Sequence, residues 1–123
     1  VILIVEDDPQ VARLIALVLQ RSGHASEVVA EGQKALDRAK ETMPVIIFAD
    51  LTINGMGGEA LCSALKRQPE TQDIPFIVVS GDRDVAEKAR ICGADDYMGK
   101  PFEFEDLTRL VNKYARAESR KAD

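Results

Sequence analysis

The chain predicts an α/β protein built on a doubly wound, five-stranded parallel sheet with helices on both faces. Two observations carry this. Three short apolar runs, VILIV at Val1 to Val5, VIIFA at Val45 to Ala49 and FIVVS at Phe76 to Ser80, are continuous rather than alternating, which is the pattern of strands covered on both faces. Segments with apolar residues at helical spacing follow each strand candidate, and a repeated strand–helix unit of this kind forms a parallel sheet through right-handed crossovers.

Taken in order, VILIV is the first strand. Asp8 and Pro9 open the first helix as an acidic N-cap followed by proline at the first helical position, and Gly23 stops it. Val11, Leu14, Ile15, Val18 and Leu19 recur at helical spacing and are assigned to the core. SEVVA, from Ser26, is a weaker second strand, and EGQKALDRAKETM is the helix after it. VIIFA is followed by the helix GEALCSALKRQ, and FIVVS by the helix DVAEKARICGA. DYMGK, before Pro101, is a weaker fifth strand. The last helix, FEDLTRLVNKYARA, is expected to bury Phe104, Leu107, Val111 and Tyr114 while Arg109, Lys113 and Arg116 face water.

At 123 residues the chain fits one domain with a real core. With 46% hydrophobic and 30% charged residues it has the balance of a soluble globular protein, not of a disordered one. The formal charge of −5 argues against a sequence-independent grip on nucleic acid, which needs Lys and Arg to neutralise phosphates, so no direct nucleic-acid contact is expected. No apolar run reaches the roughly 18 residues of a membrane span, and nothing reads as a signal peptide, so a cytoplasmic location is expected. Cys62 and Cys92 lie in helical segments with no C-x-x-C spacing and read as buried thiols. Residues 1–117 form the expected domain, and 118–123, at the end of ARAESRKAD, a polar tail or the start of a linker. An opening at Val1 instead of methionine reads as a piece of a longer chain.

In an open parallel sheet, ligands bind outside the carboxyl ends of the strands, where strand order reverses. VILIV is followed by Glu6, Asp7 and Asp8; VIIFA by Asp50; FIVVS ends in Ser80, and DYMGK in Lys100 before Pro101. Asp8 is accounted for as a helix cap. Glu6, Asp7 and Asp50 would repel one another on one edge, and a hard divalent cation bound through oxygen relieves this. Magnesium fits, with manganese able to replace it. Lys100 and Ser80 then add positive charge and a hydroxyl donor suited to a phosphoryl group, and Asp50 is the nucleophile that forms an acyl phosphate.

ILIVEDDP, IIFADLTINGMGG, IPFIVVSG and GADDYMGKPF, in this order, give the chain a pattern that resembles the receiver domains of two-component response regulators over nearly its whole length. The resemblance implies a flavodoxin-like fold, strand order 2-1-3-4-5, shared with the chemotaxis response regulator. It implies that Asp50 is the phosphoacceptor, taking its phosphoryl group from a sensor histidine kinase or histidine phosphotransfer protein. Asp7 and Asp50 would hold magnesium directly, Glu6 through water, and the backbone carbonyl of Thr52 would complete the protein ligands. Ser80 would be the switch hydroxyl, Lys100 the lysine that contacts the phosphoryl group, and Tyr97 the aromatic that rotates inward behind Ser80. Pro101 would be joined to Lys100 by a cis peptide bond. Thr52 and Asp82 would look out over the phosphoryl group and tune its lifetime. The switched surface, around the fourth helix, would control an output domain or partner protein, with Ile91 a candidate on that surface and Leu17, on the first helix, a candidate contact for the kinase. The chain would catalyse only its own phosphorylation and dephosphorylation, as a signalling domain and not an enzyme acting on other substrates.

Asn54, Gly57 and Gly81 depart from the usual pattern of these domains, and Gly55, Gly57 and Gly58 with Asn54 predict a mobile loop beside Asp50 that orders on phosphorylation. Leu110 stands where dimerising relatives usually carry an interface arginine, so a monomer or weak homodimer is expected. His24, beside Gly23 in a short loop, reads as a surface residue. Three other readings compete. A magnesium-dependent phosphohydrolase of the haloacid dehalogenase type needs D-x-D-x-T at its first strand, which is missing here. A flavodoxin-like mononucleotide binder lacks its phosphate loop, because EDDP would repel phosphate. A degenerate receiver that only binds partners is unsupported, since every reacting position is intact.

Overall fold

The computed structural model describes residues 1–122, with side chains through Ala115. Strand and helix alternate throughout: β1 (Ile2–Val5), α1 (Pro9–Arg21), β2 (Ser26–Val29), α2 (Gly32–Thr42), β3 (Ile46–Asp50), α3 (Gly58–Lys66), β4 (Phe76–Ser80), α4 (Val85–Cys92), β5 (Asp96–Gly99) and α5 (Phe104–Ala122). The five strands are parallel in the order β2-β1-β3-β4-β5. The chain therefore steps outward from β1 to β2, then returns past β1 to β3, and the reversal leaves a crevice at the carboxyl ends of β1 and β3.

The continuous apolar runs are explained by burial on both faces. Leu3, Val5, Ile47, Ala49, Phe76 and Val78 face α2, α3 and α4, in a cluster with Leu36, Leu61 and Leu65. Ile2, Ile4, Ile46, Phe48, Ile77 and Val79 face α1 and α5, in a cluster with Ile15, Leu19, Leu107 and Val111. Each large aliphatic or phenyl group buried in this way stabilises the fold by about 1.5–3 kcal/mol before entropy is subtracted. The edge strands β2 and β5 are only partly covered, which is why SEVVA and DYMGK read weakly in the sequence.

The helix ends follow their sequence signals. The Asp8 carboxylate accepts from the Gln10 N–H at 2.9 Å and Pro9 opens α1, which closes at Arg21, just before Gly23. Cys62 and Cys92 are buried free thiols, and Cys62 Sγ contacts the Cys92 carbonyl at 3.4 Å. His24 is partly buried. Among the described residues no helix is long and apolar enough to cross a membrane.

Two expectations about the core are corrected. Leu14 is 42% exposed, because it lies about 100° round the helix from Ile15, beyond the stripe centred on Ala12, Ile15 and Leu19. Phe104 is 56% exposed, since it is the first residue of α5 and lies toward the stripe's edge. Leu110, next to Val111, is buried in the same cluster as Leu107. Leu107 and Val111 are buried and Tyr114 partly so, while Arg109 and Lys113 are exposed; the side chain of Arg116 lies outside the described residues.

Candidate functional site

Strand register sets the site. Val5 pairs with Ala49, Asp50 with Val79, and Ser80 with Gly99, so Glu6, Asp50, Ser80 and Lys100 all fall within two residues of one level on the carboxyl edge. Asp50 ends β3 and is buried. A carboxylate there needs partners to offset lost hydration, and it has three. Its Oδ2 accepts from Lys100 Nζ at 2.5 Å, and its Oδ1 from the Thr52 N–H at 3.0 Å and the Thr52 hydroxyl at 3.1 Å.

Glu6 is also buried; its Oε2 accepts from Lys100 Nζ at 3.1 Å and its Oε1 from the Asp8 N–H at 3.2 Å. One ammonium thus bridges two buried carboxylates. Burial works against ionised Asp50, but the Lys100 ammonium and the Thr52 N–H outweigh it and hold its carboxyl below the usual range. Burial prevails at Glu6, which is raised despite Lys100. Burial also opposes the charge on Lys100, yet bonds to Asp50 and Glu6 raise its pKa. Asp50 is therefore an ionised carboxylate beside a firmly protonated lysine.

Ser80 closes β4 and is buried, with its Oγ accepting from the Asp82 N–H at 3.1 Å. The Lys100 N–H donates to the Ser80 carbonyl at 2.9 Å, and the Lys100–Pro101 peptide bond is cis. Thr52 and Asp82 are exposed at the rim, and the Asp82 carboxylate is 2.7 Å from Lys88 Nζ. Tyr97, on β5, is 45% exposed, so its ring does not lie behind Ser80.

Asp7 follows Glu6 on the same edge but is exposed. Among the described residues, no three His, Cys, Asp or Glu side chains converge closely enough to hold a metal ion as they stand. Lys100 instead acts as the cation between two of the three acids. The donor set still fits a hard divalent ion: Glu6, Asp7 and Asp50 supply only oxygen, and against one lysine they leave a formal charge of −2.

The loop after β3 is pinned, not free. Leu51 and Ile53 are buried, Asn54 bridges Glu31, the Gly32 N–H donates to the Asn54 carbonyl at 3.2 Å, and the Gly58 N–H to the Leu51 carbonyl at 3.1 Å. Of its glycines only Gly55 has positive φ, +77°. The glycine and asparagine content suggested mobility, but alternate apolar residues anchor the segment to the core. Gly58 has a different purpose: a Cβ there would stand 2.3 Å from the Asp50 carbonyl oxygen, so α3 can pack this close to the end of β3 only without a side chain.

Two further contacts at the rim of the site lie beyond the sequence pattern. The Thr52 hydroxyl binds Asp50 directly, and Lys88 holds Asp82. The second had no readable signal, since Asp82 and Lys88 are six residues apart and the pair spans the start of α4, outside helical spacing.

A family model of the response regulator receiver domain matches residues 2–112. The DNA-binding dual master transcriptional regulator RpaA of Synechocystis is 31% identical over 121 residues, 97% of this chain and 50% of that protein. The chain spans about half the length of the curated relatives it matches. Among solved structures, the receiver domain of a signal transduction histidine kinase from Syntrophus aciditrophicus superposes with a TM-score of 0.87 at 34% identity, over 94% of this chain and 89% of that one. The receiver domain of the sensor histidine kinase PA1611 from Pseudomonas aeruginosa, with a magnesium ion coordinated in its active site cleft, gives 0.85 at 25% identity, over 92% and 94%.

Proposed function

Because the chain belongs to the response regulator receiver domain family, we propose that Asp50 is its phosphoacceptor and that its phosphorylation switches the surface around α4, β5 and α5. The single observation that carries this is the Lys100 ammonium shared between Asp50 and Glu6, at the strand end beside buried Ser80. An Asp50 carboxylate oxygen attacks phosphorus of a phosphohistidine; the P–O bond forms, the P–N bond breaks, and the leaving imidazole nitrogen keeps the electron pair and takes up a proton. Lys100 turns its ammonium from the carboxylates to the phosphoryl oxygens, and the Ser80 hydroxyl donates to the same group. Magnesium held by Asp7, Asp50, the Thr52 carbonyl and, through water, Glu6 would neutralise charge on the phosphoryl oxygens, with manganese able to stand in.

Once Ser80 has moved, the space behind it admits Tyr97, whose exposed ring belongs to the unphosphorylated arrangement. A phosphoryl group that favours the inward arrangement shifts the population by its preference for that state. Thr52 and Asp82, at the rim, set how long the acyl phosphate survives. The chemistry is confined to Asp50 itself, with no turnover of other phosphoesters.

The phosphodonor, a sensor histidine kinase or histidine phosphotransfer protein, docks on α1 and the start of α5. Exposed Leu17 and Phe104 line one groove there with Arg21 and Thr108, and exposed Leu14 extends the apolar surface along α1. Exposed Ile91, on α4, belongs to the surface read by the output domain or partner protein. Incubation with acetyl phosphate and magnesium, followed by intact mass, tests the proposal: one phosphoryl group should be gained by the parent and none by Asp50→Asn. Turnover of model phosphoesters without an adduct would point to a phosphohydrolase.

A further inference from the structure

Asp82 stands two residues beyond Ser80, on the loop that flanks the path to Asp50, and its carboxylate is one more negative charge in a place an anionic donor must approach. It is not free. Its Oδ2 lies 2.7 Å from Lys88 Nζ on α4, while its own N–H donates to Ser80 Oγ at 3.1 Å. Lys88 also lies 4.0 Å from Asp84 Oδ1, and its charge is further favoured by Glu59 at the start of α3. A single lysine therefore answers acids from the loop, from the cap of α4 and from α3.

We propose that Lys88 is a positioning residue for phosphoryl transfer at Asp50, acting through Asp82. With its carboxylate drawn onto α4, Asp82 keeps its N–H on the Ser80 oxygen. The Ser80 hydroxyl then accepts from Asp82 and has its own proton left to donate to a phosphoryl oxygen. The same ion pair screens the Asp82 charge from the donor. When Ser80 moves, the hydrogen bond to Asp82 breaks, and the carboxylate-to-lysine link carries that displacement to α4. This inference rests on the reading of Asp50 as phosphoacceptor.

The tests separate the two claims. In the unphosphorylated protein, Lys88→Gln should shift the Asp82 amide resonance and quicken its exchange with water, and Lys88→Arg should restore both. An Asp82 amide unchanged in Lys88→Gln would overturn the proposal whatever the phosphorylation result. The second test is the rate of labelling by acetyl phosphate with magnesium. Lys88→Gln should slow it by about threefold, the size expected of a half-exposed ion pair. In an Asp82→Asn background, Lys88→Gln should change the rate no further. Equal slowing with and without the Asp82 carboxylate would mean that Lys88 acts directly on the donor, and the proposal would fail. A parent chain that never labels would instead remove the phosphoacceptor reading, and the amide measurement would still decide whether Lys88 holds Asp82.

Discussion

The Lys100 ammonium lies 2.5 Å from Asp50 Oδ2, and the same nitrogen is 3.1 Å from Glu6 Oε2. Two buried carboxylates thus depend on one cation. Lys100→Met should lower stability by about 1–3 kcal/mol without divalent ions, because it leaves both acids without their counter-ion. Magnesium should restore part of the loss and raise the melting temperature of the variant more than that of the parent. Denaturant unfolding with and without magnesium checks this, and a variant as stable as the parent in chelator would contradict it.

A second prediction concerns close packing behind Asp50. Gly58→Ala puts a methyl group 2.3 Å from the Asp50 carbonyl oxygen and 2.9 Å from Leu51 Cα. Backbone must move on one side, at a cost of about 1–3 kcal/mol that outweighs the better helix propensity of alanine. Thermal unfolding should report the loss, and labelling of Asp50 should slow because its strand end is displaced. Full stability with full labelling would show that α3 can withdraw freely.

Most of this architecture was legible in the sequence, for identifiable reasons. β1, β3 and β4 are buried on both faces, so their residues could only be apolar, and their carboxyl ends pointed to Glu6, Asp50 and Ser80. Asp8 and Gly23 marked the ends of α1. The misreadings have physical causes too. Leu14 and Phe104 are apolar residues just off a core stripe, and spacing alone does not distinguish the stripe's edge from a docking surface. The β3–α3 loop reads as mobile from its glycines, yet Leu51 and Ile53 are buried and hold it down. A contact between distant segments, such as Lys100 with Glu6, requires the folded register before it can be named, and Lys88 with Asp82 falls outside helical spacing.

The apolar surface on α1 yields a prediction that separates docking from chemistry. Leu17→Asp or Phe104→Asp should slow transfer from a phosphohistidine protein by at least about tenfold, as expected for the loss of a buried apolar anchor. Labelling by acetyl phosphate, which needs no docking surface, should be unchanged. Equal loss with both donors would move the effect from docking to the site or the fold.

The pH dependence of stability should have an identifiable alkaline limb. The Tyr114 hydroxyl donates to Asp96 Oδ2 at 2.9 Å and to the Asp95 carbonyl at 3.1 Å. Burial, then the Asp96 carboxylate, raises the Tyr114 phenol above its ordinary 10.0. A folded pKa above the unfolded one gives stability that is full below pH 10.0 and is lost as the pH rises beyond it. Asp96 has the opposite sign. Burial disfavours its charge, but the Tyr97 N–H, Tyr114 and Lys113 outweigh burial and hold it below 3.8, so its contribution is lost as the pH falls through the acid range. Tyr114→Phe should remove the late component of the tyrosine absorbance titration and flatten the alkaline limb. A late component that survives in Tyr114→Phe would refute this assignment.

Whether Asp50 accepts the phosphoryl group is read most directly from intact mass after incubation with acetyl phosphate, in magnesium and in chelator, for the parent and for Asp50→Asn. The parent should gain one phosphoryl group in magnesium and little or none in chelator, and Asp50→Asn should gain none under either condition. An Asp50→Asn chain that gains the group as readily as the parent would contradict this.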